Sequence, residues 1–175
     1  LLAVTFAWTW ALTTWTLPNT AISTWLVLVP AVTFACAAAL PVGLLLLKWA
    51  LLGRVKPGQH PLWSCWCSRW DFLYVAWGQL VRPQLVQLEG TLLLSVYLRA
   101  MGMTIGRRVV LGPGFSQVVD PDMLSFGDDS TVQTMFQAHT FEERILKIDT
   151  VRIGAGASVG TGSVMMNGSV AGDGT

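Results

Sequence analysis

Ile153, Val159, Met165 and Ala171 recur at a strict spacing of six, a period that suits neither an α-helix nor a simple alternating strand. Each is followed by Gly154, Gly160, Met166 and Gly172 in turn. Three residues past each apolar position stands a glycine (Gly156, Gly162, Gly168, Gly174), and one further on a small residue (Ala157, Ser163, Ser169, Thr175). A six-residue period matches one side of a three-sided β-coil. Each unit is then a short strand and a tight turn, and three units close one coil. The apolar side chain points inward and stacks on its equivalent one coil away. The small residue fits a crowded corner, and glycine accepts turn conformations that a Cβ would forbid. Looser copies lie upstream: Ile105-Gly106-Arg107-Arg108-Val109 before Leu111-Gly112-Pro113-Gly114-Phe115, and Phe126-Gly127-Asp128-Asp129-Ser130 before Val132. A glycine-rich disordered tail would not keep an apolar residue in fixed phase. The pattern predicts a parallel β-helix over residues 104–175.

The front of the chain is a different material. Residues 1–47 contain no Asp, Glu, Lys or Arg, and Lys48 is the first such side chain. A membrane-crossing helix needs about 20 predominantly apolar residues. Residues 1–17 supply most of one crossing, Pro18-Asn19-Thr20 reads as a turn, and residues 21–48 are long enough for a second, with kinks expected at Pro30 and Pro41. Trp8, Trp10, Trp15, Trp25 and Trp49 lie along or near the ends of these runs, as in interfacial aromatic belts. Two apolar stretches of this length exceed a signal peptide. Lys48, Arg54 and Lys56 follow the second run, which by the positive-inside tendency puts the following domain on the cytoplasmic or topologically equivalent side. Two transmembrane helices are expected within residues 1–52.

Residues 53–103 read as a connector punctuated by Pro57-Gly58 and His60-Pro61. Trp63, Trp66, Trp70, Phe72, Tyr74 and Trp77 are interspersed with Arg69 and Asp71, a mix suited to an element lying in the headgroup plane. Leu92, Leu93, Val96 and Tyr97 have the spacing of an amphipathic helix. Packing of these helices against the β-domain is the competing reading. The whole chain is therefore expected to be an α+β membrane protein: two transmembrane helices, interfacial helices and a terminal parallel β-helix.

A net charge of +1 gives no electrostatic basis for nucleic-acid binding. Cys36, Cys65 and Cys67 are odd in number, and no further ligands at zinc-site spacing accompany them, so no metal is expected. There is no phosphate-binding Gly-rich loop ending in Lys-Ser or Lys-Thr. The chain begins without Met and stops within a repeat at Gly172-Asp173-Gly174-Thr175, as a piece of a longer protein would.

These repeats resemble the hexapeptide-repeat, left-handed β-helix acyltransferase superfamily. More narrowly, Lys48-Trp49, Gly53-Arg54-Val55-Lys56-Pro57-Gly58, Pro61-Leu62-Trp63-Ser64, Glu89-Gly90-Thr91 and Tyr97-Leu98-Arg99-Ala100-Met101-Gly102 running into Ile105-Gly106 resemble the membrane-bound carboxy-terminal regions of nonribosomal peptide synthetase-like proteins, the poly-lysine synthetase type among them. The resemblance covers residues 26–175. It implies transfer of an acyl or aminoacyl group from a thioester donor to an amine or hydroxyl at a membrane. Coenzyme A or a phosphopantetheine thioester would be a passing donor rather than a tightly bound cofactor.

Hexapeptide acetyltransferases place a catalytic histidine just before a loop that interrupts the coils. His139, within Gln137-Ala138-His139-Thr140-Phe141 and ahead of Ile153-Gly154, falls at that place. Imidazole titrates near neutrality and suits a base that takes a proton from the attacking acceptor. A polar loop residue at a coil corner is the alternative. Glu142 or Glu143 would orient the imidazole or bind the acceptor, or simply be solvated. Gly154, Gly156, Gly160 and Gly162 would form a wall along which the donor arm lies. Asp120-Pro121-Asp122 and Asp128-Asp129 read as turn formers. His60 reads as structural, and having only two histidines argues against the related zinc-dependent carbonic anhydrases. The resemblance also implies a homotrimer, or tandem domains imitating one. The second functional reading is a non-catalytic β-helix scaffold in a larger membrane assembly, respiratory or photosynthetic.

Overall fold

A computed structural model describes Trp10, Ala11, Thr14 and residues 22–175, with Ile22 and Ser23 described by their backbone alone. The expected first span over residues 1–17 and the turn at Pro18-Asn19-Thr20 lie outside the described residues, apart from Trp10, Ala11 and Thr14. Contacts divide the chain into two units, Leu1–Gly43 and Leu44–Thr175.

Helix α1 spans Ile22–Leu51 and runs unbroken through Pro30 and Pro41. Within it Thr24–Leu51, 28 residues, is long and apolar enough to cross a membrane. At 1.5 Å per residue that is about 40 Å, against a hydrocarbon layer of about 30 Å. Its final turns, from Leu44, belong to the second unit.

The second unit begins with the connector. Strand β1 (Gly58–Pro61) leads into α2 (Cys65–Ala76), whose amino terminus is capped by the Ser64 hydroxyl accepting from Cys67 N at 3.2 Å. Cys67, Trp70 and Leu73 form the buried face of α2, and a π-helical turn, Trp77–Val81, continues it. Helix α3 (Arg82–Leu85), a 3₁₀ turn (Val86–Leu88) and α4 (Leu92–Ala100) follow. Helix α4 buries Leu94 and Leu98, whereas Leu92, Leu93 and Val96, whose spacing marked the helix in the sequence, are exposed, so the buried face is not the expected one. The apolar face of this part is wide, with Trp63 89% exposed.

His60 lies on β1 with its ring stacked on Trp66, centroids 3.6 Å apart. Desolvation holds its pKa below the ordinary imidazole value near 6.5. The unfolded chain therefore takes up the proton first as pH falls, so this group's contribution to stability declines from about pH 6.5 towards the lower folded value. His60→Gln is expected to shrink the drop in melting temperature between about pH 7.5 and pH 5.5, measured by thermal circular dichroism.

Eleven short strands complete the β-region in parallel and antiparallel ladders, beginning with β2 (Thr104–Ile105), β3 (Val110–Leu111), β4 (Leu124–Phe126), β5 (Thr131–Val132) and β6 (Met135–Gln137). An antiparallel hairpin follows, β7 (His139–Glu142) and β8 (Ile145–Ile148). After it come β9 (Val151–Ile153), β10 (Ser158–Val159), β11 (Val164–Met166) and β12 (Val170–Ala171). Three ladders are parallel: β12-β9-β4-β2, β10-β5-β3 and β11-β6. From β9 onward the chain visits them in cyclic order, so Ile153, Val159 and Met165 stand on three different ladders. Ala171 then returns to pair with Ile153, three six-residue units on. Between the units Gly156, Gly162, Gly168 and Gly174 all have positive φ, from 65° to 85°, which is why the turns demand glycine. Ser130 and Ala157, fully buried, occupy the tight inward positions, whereas Ser163 faces outward.

The core of this region is Ile105, Phe126, Val132, Leu146, Val151 and Ile153, with Phe115, Phe126 and Phe136 in mutual ring contact. Strand β1 pairs antiparallel with β8, giving a fourth sheet in the order β1-β8-β7. The connector is thus hydrogen-bonded into the β-region rather than laid beside it.

Candidate functional site

Three elements distant in sequence converge on one carboxylate. Trp70 comes from the buried face of α2. Asp120 precedes the 3₁₀ turn Pro121–Met123 and holds a left-handed backbone (φ 55°, ψ 57°). Proline disfavours a right-handed helical conformation in the residue before it, and Asp is among the few side chains that tolerate the left-handed one. His139 opens β7, where Asp149 N bonds the preceding carbonyl of buried Ala138 at 2.9 Å. The hairpin closes through Glu143 and Arg144, both with positive φ, as a two-residue turn of this kind requires.

The Trp70 indole N–H donates to Asp120 Oδ1 at 2.6 Å, and Asp120 Oδ2 lies 2.9 Å from His139 Nδ1. The side chain of Asp120 is 1% exposed and that of His139 12%. A carboxylate accepts, so Nδ1 is the donor in this pair, and in the neutral ring of that tautomer the lone pair stands on Nε2. Nε2 has no hydrogen-bond partner among the described residues. Trp70 and Phe141 meet the imidazole edge-to-face, with centroids 5.0 and 5.3 Å away, and fix its plane.

His139 lines an open cavity of 380 Å³ together with Tyr74, Phe115, Gln117, Thr134 and Gln137. No Asp, Glu, Lys or Arg lines it. One wall is the segment between β3 and the Pro121–Met123 turn, and the connector holds it in place. Glu89 Oε1 accepts from Gly114 N and Ser116 N, both at 3.1 Å. The Trp77 indole donates to Ser116 O at 2.8 Å, and the Gln117 amide donates to Tyr74 O at 3.3 Å.

The carboxylate on the imidazole is therefore Asp120, read from the sequence as a turn former, and neither Glu142 nor Glu143. Glu142 accepts from Thr140 and Lys147 on the exposed side of the hairpin, and the Lys147 ammonium holds its carboxyl below the usual range. Glu143 sits in the hairpin turn. Along a strand, alternate residues face opposite ways, so Glu142 cannot share the face of His139. Gly154, Gly156, Gly160 and Gly162 do not line the cavity. Gly154 instead packs directly against the backbone of Gly172-Asp173, where a Cβ would stand 2.6 Å from Asp173 N. Gly156, Gly160 and Gly162 face open space. Among the described residues no three His, Cys, Asp or Glu side chains cluster as a metal site would need.

The chain is similar to Delta-poly-L-ornithine synthetase of Acinetobacter baumannii (strain AB307-0294). The two are 31% identical over 124 residues, 69% of this chain and 9% of that protein. The chain thus spans about a tenth of the synthetase it matches. No protein-family model and no solved structure matches it. The likeness ties this chain to one segment of a poly-amino-acid synthetase.

Proposed function

We propose that this chain is the membrane-anchored transferase region of a poly-amino-acid synthetase-type protein, with His139 as the general base. The observation that carries the reading is the buried carboxylate that sets the tautomer of an imidazole lining an open cavity. An acceptor amine attacks the carbonyl carbon of an acyl or aminoacyl thioester, and His139 Nε2 takes the amine proton as the new C–N bond forms. The tetrahedral intermediate then expels the thiolate, which receives that proton from the imidazolium; the products are an amide and a free thiol. A hydroxyl acceptor follows the same course to an ester. The donor is coenzyme A or a phosphopantetheine arm, acting as substrate.

The cyclic order of the parallel ladders and the ladder partners Ile153 and Ala171 support a left-handed three-sided coil of the hexapeptide-repeat kind. Such coils associate as trimers or as tandem domains, and we propose that arrangement here. The apolar length of α1 favours a bilayer anchor, and Arg54 and Lys56 favour a cytoplasmic β-region.

The test uses the full-length protein in detergent, an aminoacyl N-acetylcysteamine thioester and a diamine, with amide formation followed by mass spectrometry. Product above the buffer rate is expected. His139→Ala should lower the rate by about 10²- to 10⁴-fold with an unchanged far-UV spectrum. No product from the native protein, or an undiminished rate in His139→Ala, overturns the assignment and favours a scaffold.

A further inference from the structure

Two carboxylates flank Pro121, and only Asp120 touches the imidazole. The Asp122 side chain is fully buried, and its Oδ2 lies 2.8 Å from Nζ of Lys48, the one charged residue of α1. Lys48 is itself 4% exposed, so it is not the solvated interfacial cation that the sequence suggests. Val55 N donates to the same Oδ2 at 3.2 Å. On the other side Gly102, at φ 113°, gives Asp122 its room, since a Cβ there would overlap Oδ1. Lys48 Nζ lies 3.9 Å from the Trp49 ring centroid, and the Trp49 indole donates to Ala100 O at 2.8 Å. The last turn of α1, the end of α4 and the Pro121–Met123 turn are thereby pinned together.

As a stabilising device this pair is poor. Asp122 Oδ1 has no hydrogen-bond partner, and Nζ has none beyond Asp122 and the ring. A buried ion pair with unfilled bonding capacity costs desolvation that apolar side chains of similar size would avoid. Its geometric effect is better defined. Met123 N donates to Asp120 O at 2.9 Å, so the turn carrying Asp122 also sets the left-handed backbone of Asp120. A strained backbone of that kind persists only where its surroundings over-determine it.

We infer that Lys48 and Asp122 are positioning residues: the buried ion pair clamps the Pro121–Met123 turn so that the Asp120 carboxylate meets His139 Nδ1. The inference rests on His139 being the base, and it makes the site depend on the seating of the last turn of α1. Lys48 acts through Asp122 and Asp120 and touches no reacting atom.

The test reads the imidazole directly. The full-length protein in detergent, labelled with ¹⁵N-histidine, should show a low-field, slowly exchanging Nδ1–H resonance that is assigned to His139 by its loss in His139→Gln. Lys48→Met and the apolar pair Lys48→Met/Asp122→Leu are expected to lose that resonance, as Asp120→Asn does. The paired variant leaves no lone buried charge and should keep its melting temperature, which separates positioning from folding. In the transfer assay the paired variant is expected to lower kcat about 10²-fold with KM unchanged. An Nδ1–H resonance in the paired variant matching the native one overturns the inference, even where His139→Ala confirms the base. Absence of transfer by the native protein overturns the functional reading, while the resonance still decides the clamp.

Discussion

Asp120→Asn is expected to lower the transfer rate by about 10⁴-fold, as the equivalent change does in a serine-hydrolase triad. The carboxylate accepts two hydrogens, from the Trp70 indole at 2.6 Å and from His139 Nδ1 at 2.9 Å. An amide there keeps one acceptor, and the indole, which can only donate, claims it. The amide NH₂ then faces Nδ1 and can be satisfied only if Nδ1 becomes the acceptor. The proton moves to Nε2, the nitrogen that should receive the acceptor's hydrogen. Shape is almost unchanged, so the melting temperature should stay near the native one while kcat collapses. Steady-state kinetics beside a thermal melt checks both, and an active Asp120→Asn protein would remove Asp120 from the site.

Gly127→Ala should cost the fold about 3 kcal/mol, the upper end for overpacking. The new Cβ would stand 2.5 Å from Ala155 N, 2.6 Å from Gly154 C and 2.8 Å from Ala155 Cα. All three are backbone atoms of the neighbouring β9 end, so no side chain can swing aside. The ladder pairs Phe126 with Ile153, and Gly127 N donates to Ile153 O at 2.8 Å; both contacts would have to lengthen. For a chain of this size that corresponds to roughly 6–12 °C in melting temperature. Gly156→Ala is the useful contrast: its Cβ meets nothing within 4 Å, and only the positive φ of 65° opposes it.

The regular part of the fold was open to inspection in the sequence because it is local. Ile153, Val159, Met165 and Ala171 repeat with the geometry of the unit, and the ladder partners Ile153 and Ala171 follow from that count. Helix α4 was visible as a helix, but its buried face was not, since Leu94 and Leu98 rather than Leu92, Leu93 and Val96 turn inward. The site was visible only in its histidine. Its carboxylate stands 19 residues before His139 and its indole 50 before Asp120, separations set by how the ladders pair rather than by any nearby spacing. Glu142 and Glu143 stand closer in sequence, but Glu142 lies on the opposite face of β7 from His139 and Glu143 lies in the hairpin turn. Asp120 and Asp122 share the composition of an ordinary turn, and nothing in a linear reading distinguishes two buried carboxylates from two solvated ones. Lys48 misled in the same way, its place at the end of an apolar run suggesting a headgroup contact.

Strand β1 sits in one sheet with β8 and β7, so the segment before residue 104 supplies a border strand to the segment after it. The obvious seam between helices and repeats is consequently no place for recombination. A repeat region grafted onto a foreign anchor would arrive without the indole that holds Asp120 and with β8 left unpaired along one side. Lineages that exchange such modules would have to move residues 44–175 as one inherited block.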